Sequence, residues 1–527
     1  MTEQRTNLTD TCVALMERGA PFLAVRKVGD AELVSVHSGA DESVVALRTA
    51  EELRDLCEAA DQDVCFVIPY NAVRERGLDC IDDETRILAF RSDQQRCGSL
   101  AEIRTLRTEG ATCQIEDVGT DTDYMKTVER AKKELIESGE GCNFVFRRDV
   151  AVQYNGSDVG FYAWNVFTTL LGSEAGAYWT YLWFSADQII VGASPETHMR
   201  IDGRTAEMTP ISGTFRWADA DADGLRRFLS DEKEIHELNM VVDEELKIMT
   251  RVCSQSVRIK GPWITTTSSV LHTGYTIEGQ LDTHPIRAIS ESLIAPTIVG
   301  SPIASACKHI AATELTGRGY YGGVVGTLSK LGTDGWLVDT AIIIRSIELD
   351  NSGRGKCAAG ATIVAQSNPA SELREVKAKV LPLVNALHAG SDQQRSRIIV
   401  PELRSTARLN RGGDLHAELM ARNELLSPFW FGNASTSRAE IQSGHGLKTL
   451  LVDMGDDFVY MLKYVLTAFV MECEVVHWDS DVDVSQFDLV GFGPGPATLA
   501  SWTRGPRLCA VCTTRSYRQV CGGSRCA

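Results

Sequence analysis

Apolar side chains recur at helical spacing from Asp231 to Leu246, in the sequence DEKEIHELNMVVDEEL. Residues three and four positions apart share one face of a helix, so the spacing predicts an amphipathic helix with one buried stripe. Glu234 and Glu237 lie one turn apart along the edge of that stripe. The apolar stripe itself consists of Ile235, Leu238, Val242, Leu246 and Met249.

Two other stretches show the same periodicity. Residues 121–138 predict a helix that is capped by Asp121 or Thr122. A third helix is predicted to begin with Asn368 as its N-cap and Pro369 at its first position, where proline loses no hydrogen bond. That helix carries a second pair of acids one turn apart, Glu372 and Glu375. The predicted inner face of the 121–138 helix consists of Tyr124, Val128, Ala131 and Leu135.

Short apolar runs typical of β-strands fill much of the remaining chain. They alternate with a helix-like piece in residues 1–115 and dominate the region after Gly261, which predicts an α+β fold with a large β-sheet domain. From Lys448 the order of strand, turn, helix and strand predicts a separate α/β unit with a parallel sheet. The polar stretch between these parts is interpreted as a connector. The predicted divisions are 1–115, 116–390, 391–447 and 448–527.

Charge and composition exclude several classes of partner. The chain of 527 residues carries a formal net charge of −18 and has no block of Lys and Arg. Nucleic acid and an acidic membrane surface are therefore not expected partners. The N-terminal residues contain no apolar signal-like stretch, and no apolar run is long enough to span a membrane, so we expect a cytoplasmic protein. Most of the 15 cysteines are scattered singly, as reduced thiols would be.

The two acidic pairs admit two interpretations on spacing alone. Glu234 with Glu237 and Glu372 with Glu375 could bring four carboxylates to one cavity, and crowded oxygens of this kind require a hard cation such as Mg²⁺. Alternatively, both helices simply expose acidic edges to solvent. The spacing does not decide between a metal site and two solvated helix faces.

A series of motifs in residues 115–390 resembles the chorismate-utilising enzymes, most of all the synthase component of anthranilate synthase and its phenazine-pathway relative, 2-amino-2-deoxyisochorismate (ADIC) synthase. The resemblance implies a two-layer β-sheet domain with helices, chorismate as substrate, Mg²⁺ as cofactor and a homodimer. The motifs are ASPE (193–196), PISGT (210–214), KEIHELNMVVDE (233–244), VLHTGYTIEG (270–279), TIVGSP (297–302), YYGGVVG (320–326), IIIRS (342–346), AGAT (359–362) and ELREVKAK (372–379).

The resemblance also implies roles for individual residues. Glu196 matches the general acid that protonates the departing ring hydroxyl. Arg345 would bind the enolpyruvyl carboxylate, and without the resemblance a structural ion pair is the alternative. His272 and Thr297 match positions that face the ring, and an isolated histidine beside a strand is often purely structural. Mg²⁺ would bind Glu234, Glu237, Glu372 and Glu375, and further substrate contacts would come from Tyr321, Gly360, Ala361 and Lys379.

Two positions discriminate within this family. The water-adding members carry a lysine base where this chain has Asn143, and the para-directed aminating members carry a nucleophilic lysine where it has Ser212. Their absence predicts attack by ammonia ortho to the ring carboxylate, which yields ADIC. Elimination of pyruvate to anthranilate, as in tryptophan biosynthesis, remains the alternative. A different class of hypothesis is a degenerate, non-catalytic subunit.

The unit from Lys448 resembles an incomplete, flavodoxin-like class I glutamine amidotransferase, whose Gly-Pro-Gly-Pro loop is matched by residues 492–496. Ala-Thr-Leu-Ala follows where the family has Gly-Asp-Pro, and a one-base shift of a Gly-Asp-Pro-Arg coding run gives this tetrapeptide. Residues 497–527 are therefore interpreted as a frameshift product, with Cys512 as a remnant of the glutaminase nucleophile. We expect ammonia rather than glutamine to be used unless a complete amidotransferase is supplied. The competing interpretation of this tail is a zinc site of Cys509, Cys512, Cys521 and Cys526.

Overall fold

The computed structural model describes residues 7–29, 32–108, 112–216, 222–266, 270–332, 335–391, 414–432 and 446–495. Two large antiparallel sheets flanked by helices form the main body, and a small parallel sheet lies in residues 446–495. The predicted α+β class with two sheet layers is therefore confirmed. None of the helices in these ranges is long and apolar enough to cross a membrane. Cys512 and the interpretations of residues 497–527, both frameshift and zinc site, lie outside the described residues.

The helices alternate with the strands through most of the described chain. In chain order they are α1 (Leu8–Glu17), α2 (Ala50–Ala59), α3 (Asp121–Arg130), α4 (Val159–Ser173), α5 (Ala222–Ser230), α6 (Glu232–Val252), α7 (Pro285–Ser292), α8 (Pro296–Val299), α9 (Ile303–Thr313), α10 (Pro369–Ser391), α11 (Asp414–Ala421) and α12 (Phe458–Ala468).

The first large sheet has ten strands. In spatial order they are β16 (Gly300–Ser301), β8 (Asn143–Tyr154), β20 (Arg354–Ile363), β19 (Ser346–Asp350), β10 (Gln188–Ser194), β9 (Trp179–Phe184), β1 (Phe22–Lys27), β2 (Leu33–Ser38) and β6 (Gln94–Ser99), with β7 (Cys113–Asp117) beside β8. Neighbours in this sheet run antiparallel, and the longest register joins β8 to β20 from Phe144 opposite Ile363 to Gln153 opposite Arg354.

The second large sheet also has ten strands. They are β13 (Ile211–Arg216), β15 (Val270–Leu281), β12 (Thr205–Met208), β11 (Thr197–Gly203), β18 (Gly335–Ile342), β17 (Val324–Leu331), β4 (Asp63–Ile68), β5 (Ile87–Ser92) and β3 (Val45–Leu47), with β14 (Cys253–Thr266) beside β15. The two sheets pack against each other through one apolar cluster, to which alternate residues of both contribute. From the first sheet it contains Leu23, Val25, Trp179 and Trp183, and from the second Cys65, Val67 and Val325.

The predicted helices are observed with small differences. Residues 121–138 form α3 followed by a wider helical turn at Ala131–Ile136. The helix is capped by Thr120, not by Asp121 or Thr122, because the Thr120 hydroxyl accepts from the Asp123 amide and Asp123 reciprocates. The α10 helix begins as predicted, and Asn368 Oδ1 accepts a hydrogen bond from the Ser371 amide at 3.1 Å.

The small sheet belongs to the unit that begins near Lys448. Its strands, β22 (Glu472–His477), β21 (Lys448–Asp453) and β23 (Leu489–Phe492), pair in parallel, as the predicted strand–helix–strand order requires. Helix α12 joins β21 to β22 and packs against α6. Asp457 at its start forms ion pairs with Arg251 at 2.7 Å and with Arg76 at 2.8 Å.

Candidate active site

A cavity of about 130 Å³ lies where the two large sheets meet three helices. Its walls come from β8 and β20 of the first sheet, β13 and β15 of the second, and α6, α8 and α10. The structure thus brings together residues that are nearly 240 positions apart in the chain. The predicted site residues on its walls are Glu196, Ser212, Glu237, His272, Thr297, Tyr321, Arg345, Gly360, Glu375 and Lys379. Glu234, Glu372 and Ala361 are not among its lining residues.

Glu196 lies in the short connection between β10 and β11, where the chain passes from the first sheet to the second. Its side chain is buried, and Oε1 accepts a hydrogen bond of 2.9 Å from the hydroxyl of Thr297. Burial raises the pKa of Glu196 to about 7, against the opposing effect of the Thr297 hydrogen bond. A carboxyl group with such a pKa is substantially protonated at neutral pH, as a general acid must be.

The pH dependence of turnover should follow this group. If Glu196 acts as the general acid, its protonated form is the active one. The rate is then expected to be constant below the pKa of about 7 and to fall about tenfold per pH unit above it. The measurement is kcat between pH 5.5 and 9, about 0.5 unit apart, with the concentration of free ammonia held constant. If the residual activity of Glu196→Gln shows the same falling limb, then another group is responsible for it.

His272 lies on β15 with its imidazole in the cavity wall. Its Nδ1 is 2.6 Å from the carbonyl oxygen of Gly213, and because a carbonyl only accepts, Nδ1 carries the proton. Nε2 is buried and has no hydrogen-bond partner among the described residues. Burial lowers the pKa of His272 to about 4, so the ring is neutral at pH 7. His272 therefore offers a lone pair at Nε2 as a hydrogen-bond acceptor.

Four glutamates lie on the helices α6 and α10 beside the cavity. Asp231 caps α6 by accepting from the backbone amides of Lys233 and Glu234, and this places Glu234 and Glu237 in its first turns. Glu237 Oε1 accepts a 3.1 Å hydrogen bond from the Ser212 hydroxyl. On α10, Glu375 forms a 2.7 Å ion pair with Lys379.

Burial and mutual repulsion act on these carboxylates. Burial, together with the charge of Glu237, raises the pKa of Glu234 to about 7. The pKa values of Glu237 and Glu372 are also raised by burial, and Glu375 contributes to both shifts. Burial acts to raise the pKa of Glu375, but the ion pair with Lys379 outweighs burial and leaves that pKa below its ordinary value. Three of the four glutamates therefore hold a proton more tightly than a free glutamate does.

The chemistry of this donor set fits Mg²⁺, which prefers carboxylate oxygens and retains several waters. Oε2 of Glu234 is buried without a hydrogen-bond partner in the described part of the chain, so one donor atom is available. The ammonium group of Lys233 interacts electrostatically with all four glutamates. Within the described residues no three His, Cys, Asp or Glu side chains already stand in metal-binding geometry. A bound ion would have to draw the two helix faces together.

Glycine is required at position 213, between the cavity and Glu234. Its φ of +75° is unfavourable for any residue with a side chain. In addition, a Cβ there would lie 2.6 Å from Oε2 of Glu234 and 3.0 Å from the ring of Phe228. The backbone at Gly213 can therefore approach the carboxylate cluster closely while its carbonyl oxygen holds His272.

Two basic side chains, Arg345 and Lys379, also line the cavity. Arg345 is in its wall with a positive φ of 51°, and the carboxylate of Glu174 attracts it electrostatically. Burial lowers the pKa of Arg345, but a guanidinium group remains protonated in proteins. Lys379 donates to the carbonyl oxygen of Gly360 at 2.9 Å. A Cβ on Gly360 would lie 3.4 Å from the Tyr321 hydroxyl, so these two predicted residues are neighbours.

Arg318 holds three walls of the cavity together, a role that the motifs did not indicate. Its guanidinium donates to the carbonyl oxygens of Ile298 and Val145, each at 2.9 Å, and forms an ion pair with Glu314. It also lies 5.7 Å from the ring centroid of Tyr321. The available sequence signal is an arginine in the Gly-rich turn GRGYYGG, three residues before Tyr321.

Comparison with known proteins gives a family match and a curated relative. The family model described as chorismate binding enzyme matches residues 48–385. The phenazine-specific anthranilate synthase of Pseudomonas chlororaphis is 35% identical over 441 residues, which is 82% of this chain and 66% of that relative. This chain therefore spans 66% of the length of that curated relative.

Two solved structures share the fold. The menaquinone-specific isochorismate synthase of Escherichia coli aligns with a TM-score of 0.58 at 18% identity, covering 72% of this chain and 92% of that one. Anthranilate synthase component I of Streptococcus pneumoniae aligns with a TM-score of 0.54 at 20% identity, covering 69% of this chain and 89% of that one. At these identities the similarity is evidence of a common fold.

Proposed function

We propose that this chain, which belongs to the chorismate-binding enzyme family, catalyses the Mg²⁺-dependent amination of chorismate by ammonia to give ADIC. The observation that carries the proposal is one cavity lined by a buried carboxyl group, two basic side chains and members of an acidic cluster. Glu196 lines the cavity, as do Arg345 and Lys379, and Glu237 and Glu375 belong to the cluster.

Each part of the cavity matches one need of the substrate. Chorismate is a dianion, so its two carboxylates require positive charge in an acidic protein. Arg345 is suited to bind the enolpyruvyl carboxylate, because a guanidinium group makes two parallel hydrogen bonds to such a group. Tyr321 and the backbone at Gly360 and Ala361 are proposed to support that end of the substrate. Of these residues, Ala361 does not line the cavity, so it would act only by holding the β20 backbone at Gly360 in position.

The four glutamates Glu234, Glu237, Glu372 and Glu375 are the residues that would hold Mg²⁺. When bound, the ion neutralises the ring carboxylate and fixes its position. Ser212 orients Glu237 through its 3.1 Å hydrogen bond. Lys379 performs the corresponding task on α10 through its ion pair with Glu375.

The reaction exchanges a hydroxyl group for an amino group. Glu196 donates its proton to the ring hydroxyl, which leaves as water. Ammonia bonds to the ring carbon ortho to the carboxylate, and the two ring double bonds shift toward the carbon that loses the hydroxyl. The ammonium nitrogen so formed loses a proton, which restores the protonated Glu196. Thr297 keeps the Glu196 carboxyl in place, and His272 presents a neutral acceptor to the ring face. Chorismate and ammonia thus give ADIC and water.

Asn143 favours ammonia over water as the nucleophile. It lies in the cavity wall, and its Oδ1 is buried without a partner among the residues described. A carboxamide oxygen accepts a hydrogen bond from ammonia but is far too weak a base to deprotonate water. Ser212 is already hydrogen-bonded to Glu237 and does not provide a nucleophilic amine. Neither position therefore supports addition of water or attack by a lysine.

Anthranilate is the second candidate product, and it is favoured by the name of the Pseudomonas chlororaphis relative, an anthranilate synthase. Formation of anthranilate requires the same amination followed by loss of pyruvate. The cavity contains the amination machinery in either case. The two products differ in whether the enolpyruvyl group is retained, so analysis of the product distinguishes them.

Incubation of the purified chain with chorismate, MgCl₂ and an ammonium salt should accumulate a non-aromatic amino acid that retains its enolpyruvyl group. The product is identified by mass, and pyruvate is assayed in the same samples. Pyruvate and anthranilate fluorescence that rise at the rate of chorismate loss would instead establish the second candidate. No consumption of chorismate would support the degenerate, non-catalytic hypothesis.

A further inference from the structure

A segment that follows the range matched by the family model packs directly against α5, the helix that precedes the glutamate-bearing helix α6. Residues 414–432 follow the matched range 48–385 and include α11. Leu419 of α11 is fully buried, and on the surface Arg226 of α5 forms a 2.7 Å ion pair with Glu418 of α11. The apolar cluster around Leu419 contains Phe215, Leu225, Phe228, Leu229, Ile264 and Leu271.

Arg422, directly after α11, makes the most specific contacts of this segment. Only 2% of it is exposed. Its Nε and one terminal nitrogen donate to the carbonyl oxygen of Leu229 at 3.0 and 2.9 Å, and the same terminal nitrogen donates to Phe228 at 3.2 Å. The other terminal nitrogen donates to the hydroxyl of Thr273 at 2.9 Å. The guanidinium fork therefore joins the carboxyl end of α5 to β15.

The α5 contact leads to Glu234. Helix α5 ends at Ser230 and α6 begins at Glu232, so Asp231 alone separates them. Asp231 is the cap of α6, and its amide donates to the carbonyl oxygen of Phe228, one of the two that Arg422 also holds. The Phe228 ring lies beside Gly213 and the Glu234 carboxylate. A shift at the end of α5 would therefore move the first turn of α6.

The β15 contact leads to Glu237. The hydroxyl of Thr273, which accepts from Arg422, donates to the carbonyl oxygen of Ser212 at 3.3 Å. The Ser212 hydroxyl in turn donates to Glu237. One buried arginine thus reaches both carboxylates of the first acidic pair by separate routes, one through backbone and one through hydroxyl groups.

We propose that Arg422 is a positioning residue for Glu234 and Glu237, and that the catalytic unit consequently includes α11 and Arg422. The inference rests on the proposed function, because it assigns these two glutamates to the Mg²⁺ site. Burial lowers the pKa of Arg422, and the negative charges of Glu234 and Asp231 oppose that shift. The guanidinium group is therefore close enough to Glu234 to interact with it electrostatically. The planar fork with several donors is a geometry that lysine does not reproduce.

The test uses the full chain with Arg422→Met and Arg422→Lys, and Arg226→Met as the matched control. Arg226 also joins α5 to α11, but it does so at the surface. We expect both Arg422 variants to weaken Mg²⁺ binding in calorimetry by about 10–100-fold, the range known for residues that orient metal ligands, with Lys the milder change. The control should stay within about twofold. Amide hydrogen exchange over residues 228–237 should accelerate in the Arg422 variants alone.

Three outcomes separate the inference from the function on which it rests. If Arg422→Met and Arg422→Lys bind Mg²⁺ as the control does and show unchanged exchange at residues 228–237, the positioning role is wrong. If Arg422→Met does not fold, Arg422→Lys gives the answer by the same two measurements. If the unchanged chain binds no Mg²⁺ and does not consume chorismate, the proposed function fails, and the exchange data still report whether Arg422 holds the α5–α6 junction.

Discussion

Replacing Glu196 by Gln is expected to lower kcat for chorismate by about 10²–10⁴-fold, the contribution typical of a positioned general acid. The amide has nearly the same shape and still accepts the hydrogen bond from Thr297, but it has no proton to donate to the departing hydroxyl. KM for chorismate should change little, because Glu196 is not assigned to either substrate carboxylate. Steady-state kinetics at pH 6.5 to 7, about the pKa of Glu196, separate the two constants.

A matched control removes a buried carboxylate elsewhere. Glu278 is buried on β15 and pairs with Arg258 and Lys260, away from the cavity lining. Glu278→Gln should retain kcat within about twofold, even if the loss of its ion pairs lowers the thermal midpoint. Should Glu196→Gln also retain kcat within about tenfold, the leaving hydroxyl must obtain its proton from another group.

Replacing Glu234 or Glu375 by Gln is expected to weaken Mg²⁺ binding by at least about 100-fold, because each change removes a charged donor and not merely a residue that orients one. Turnover should be lost at ordinary Mg²⁺ concentrations and should recover in part at high concentrations. Neither variant opens a cavity, so the fold should persist by circular dichroism. The measurements are calorimetric titration with MgCl₂ and turnover as a function of Mg²⁺.

Glu232→Gln is the matched control for the metal prediction. Glu232 is the first residue of α6 and is exposed, so the variant removes one acidic charge from the same helix turn without touching the cluster. It should bind Mg²⁺ within about twofold of the unchanged chain. EDTA should abolish the activity of both, and added Mg²⁺ should restore it. Full activity in EDTA would contradict the assignment of a metal to these carboxylates.

The sequence pattern predicts the helices because their signals are local. The stripe that includes Leu238, Val242 and Leu246 is buried in α6 as expected, and Asn368 and Pro369 begin α10. The cap of α3 was placed one or two residues too late, since Asp121, Thr122 and Thr120 are all competent caps. Only the reciprocal bonds between Thr120 and Asp123 distinguish them.

The sequence predicts those residues of the candidate site that lie inside the motifs shared with the chorismate-utilising enzymes. Glu196, Thr297 and Arg345 converge in the structure, although no local pattern indicates that their segments meet. The sequence gives no signal that Lys233 belongs with all four glutamates, because its interaction with Glu372 and Glu375 depends on how α6 packs relative to α10.

Arg422 was unpredictable for a related physical reason. Its function depends on backbone carbonyl oxygens at the end of α5, and any sequence supplies such acceptors. The surrounding stretch is mixed and polar, so it was interpreted as part of a connector between residues 391 and 447. Burial of Leu419, Leu426 and Trp430 shows that part of this stretch packs into the apolar cores.

Transfer of nitrogen from ammonia to chorismate is the central claim, and isotope labelling tests it most directly. The purified full chain is incubated with chorismate, MgCl₂ and ¹⁵N-ammonium chloride, and the product is analysed by mass spectrometry and NMR. We predict a product that carries ¹⁵N at the ring carbon ortho to the carboxylate and retains the enolpyruvyl group. A product that contains no ¹⁵N, such as one formed by addition of water, would contradict the account.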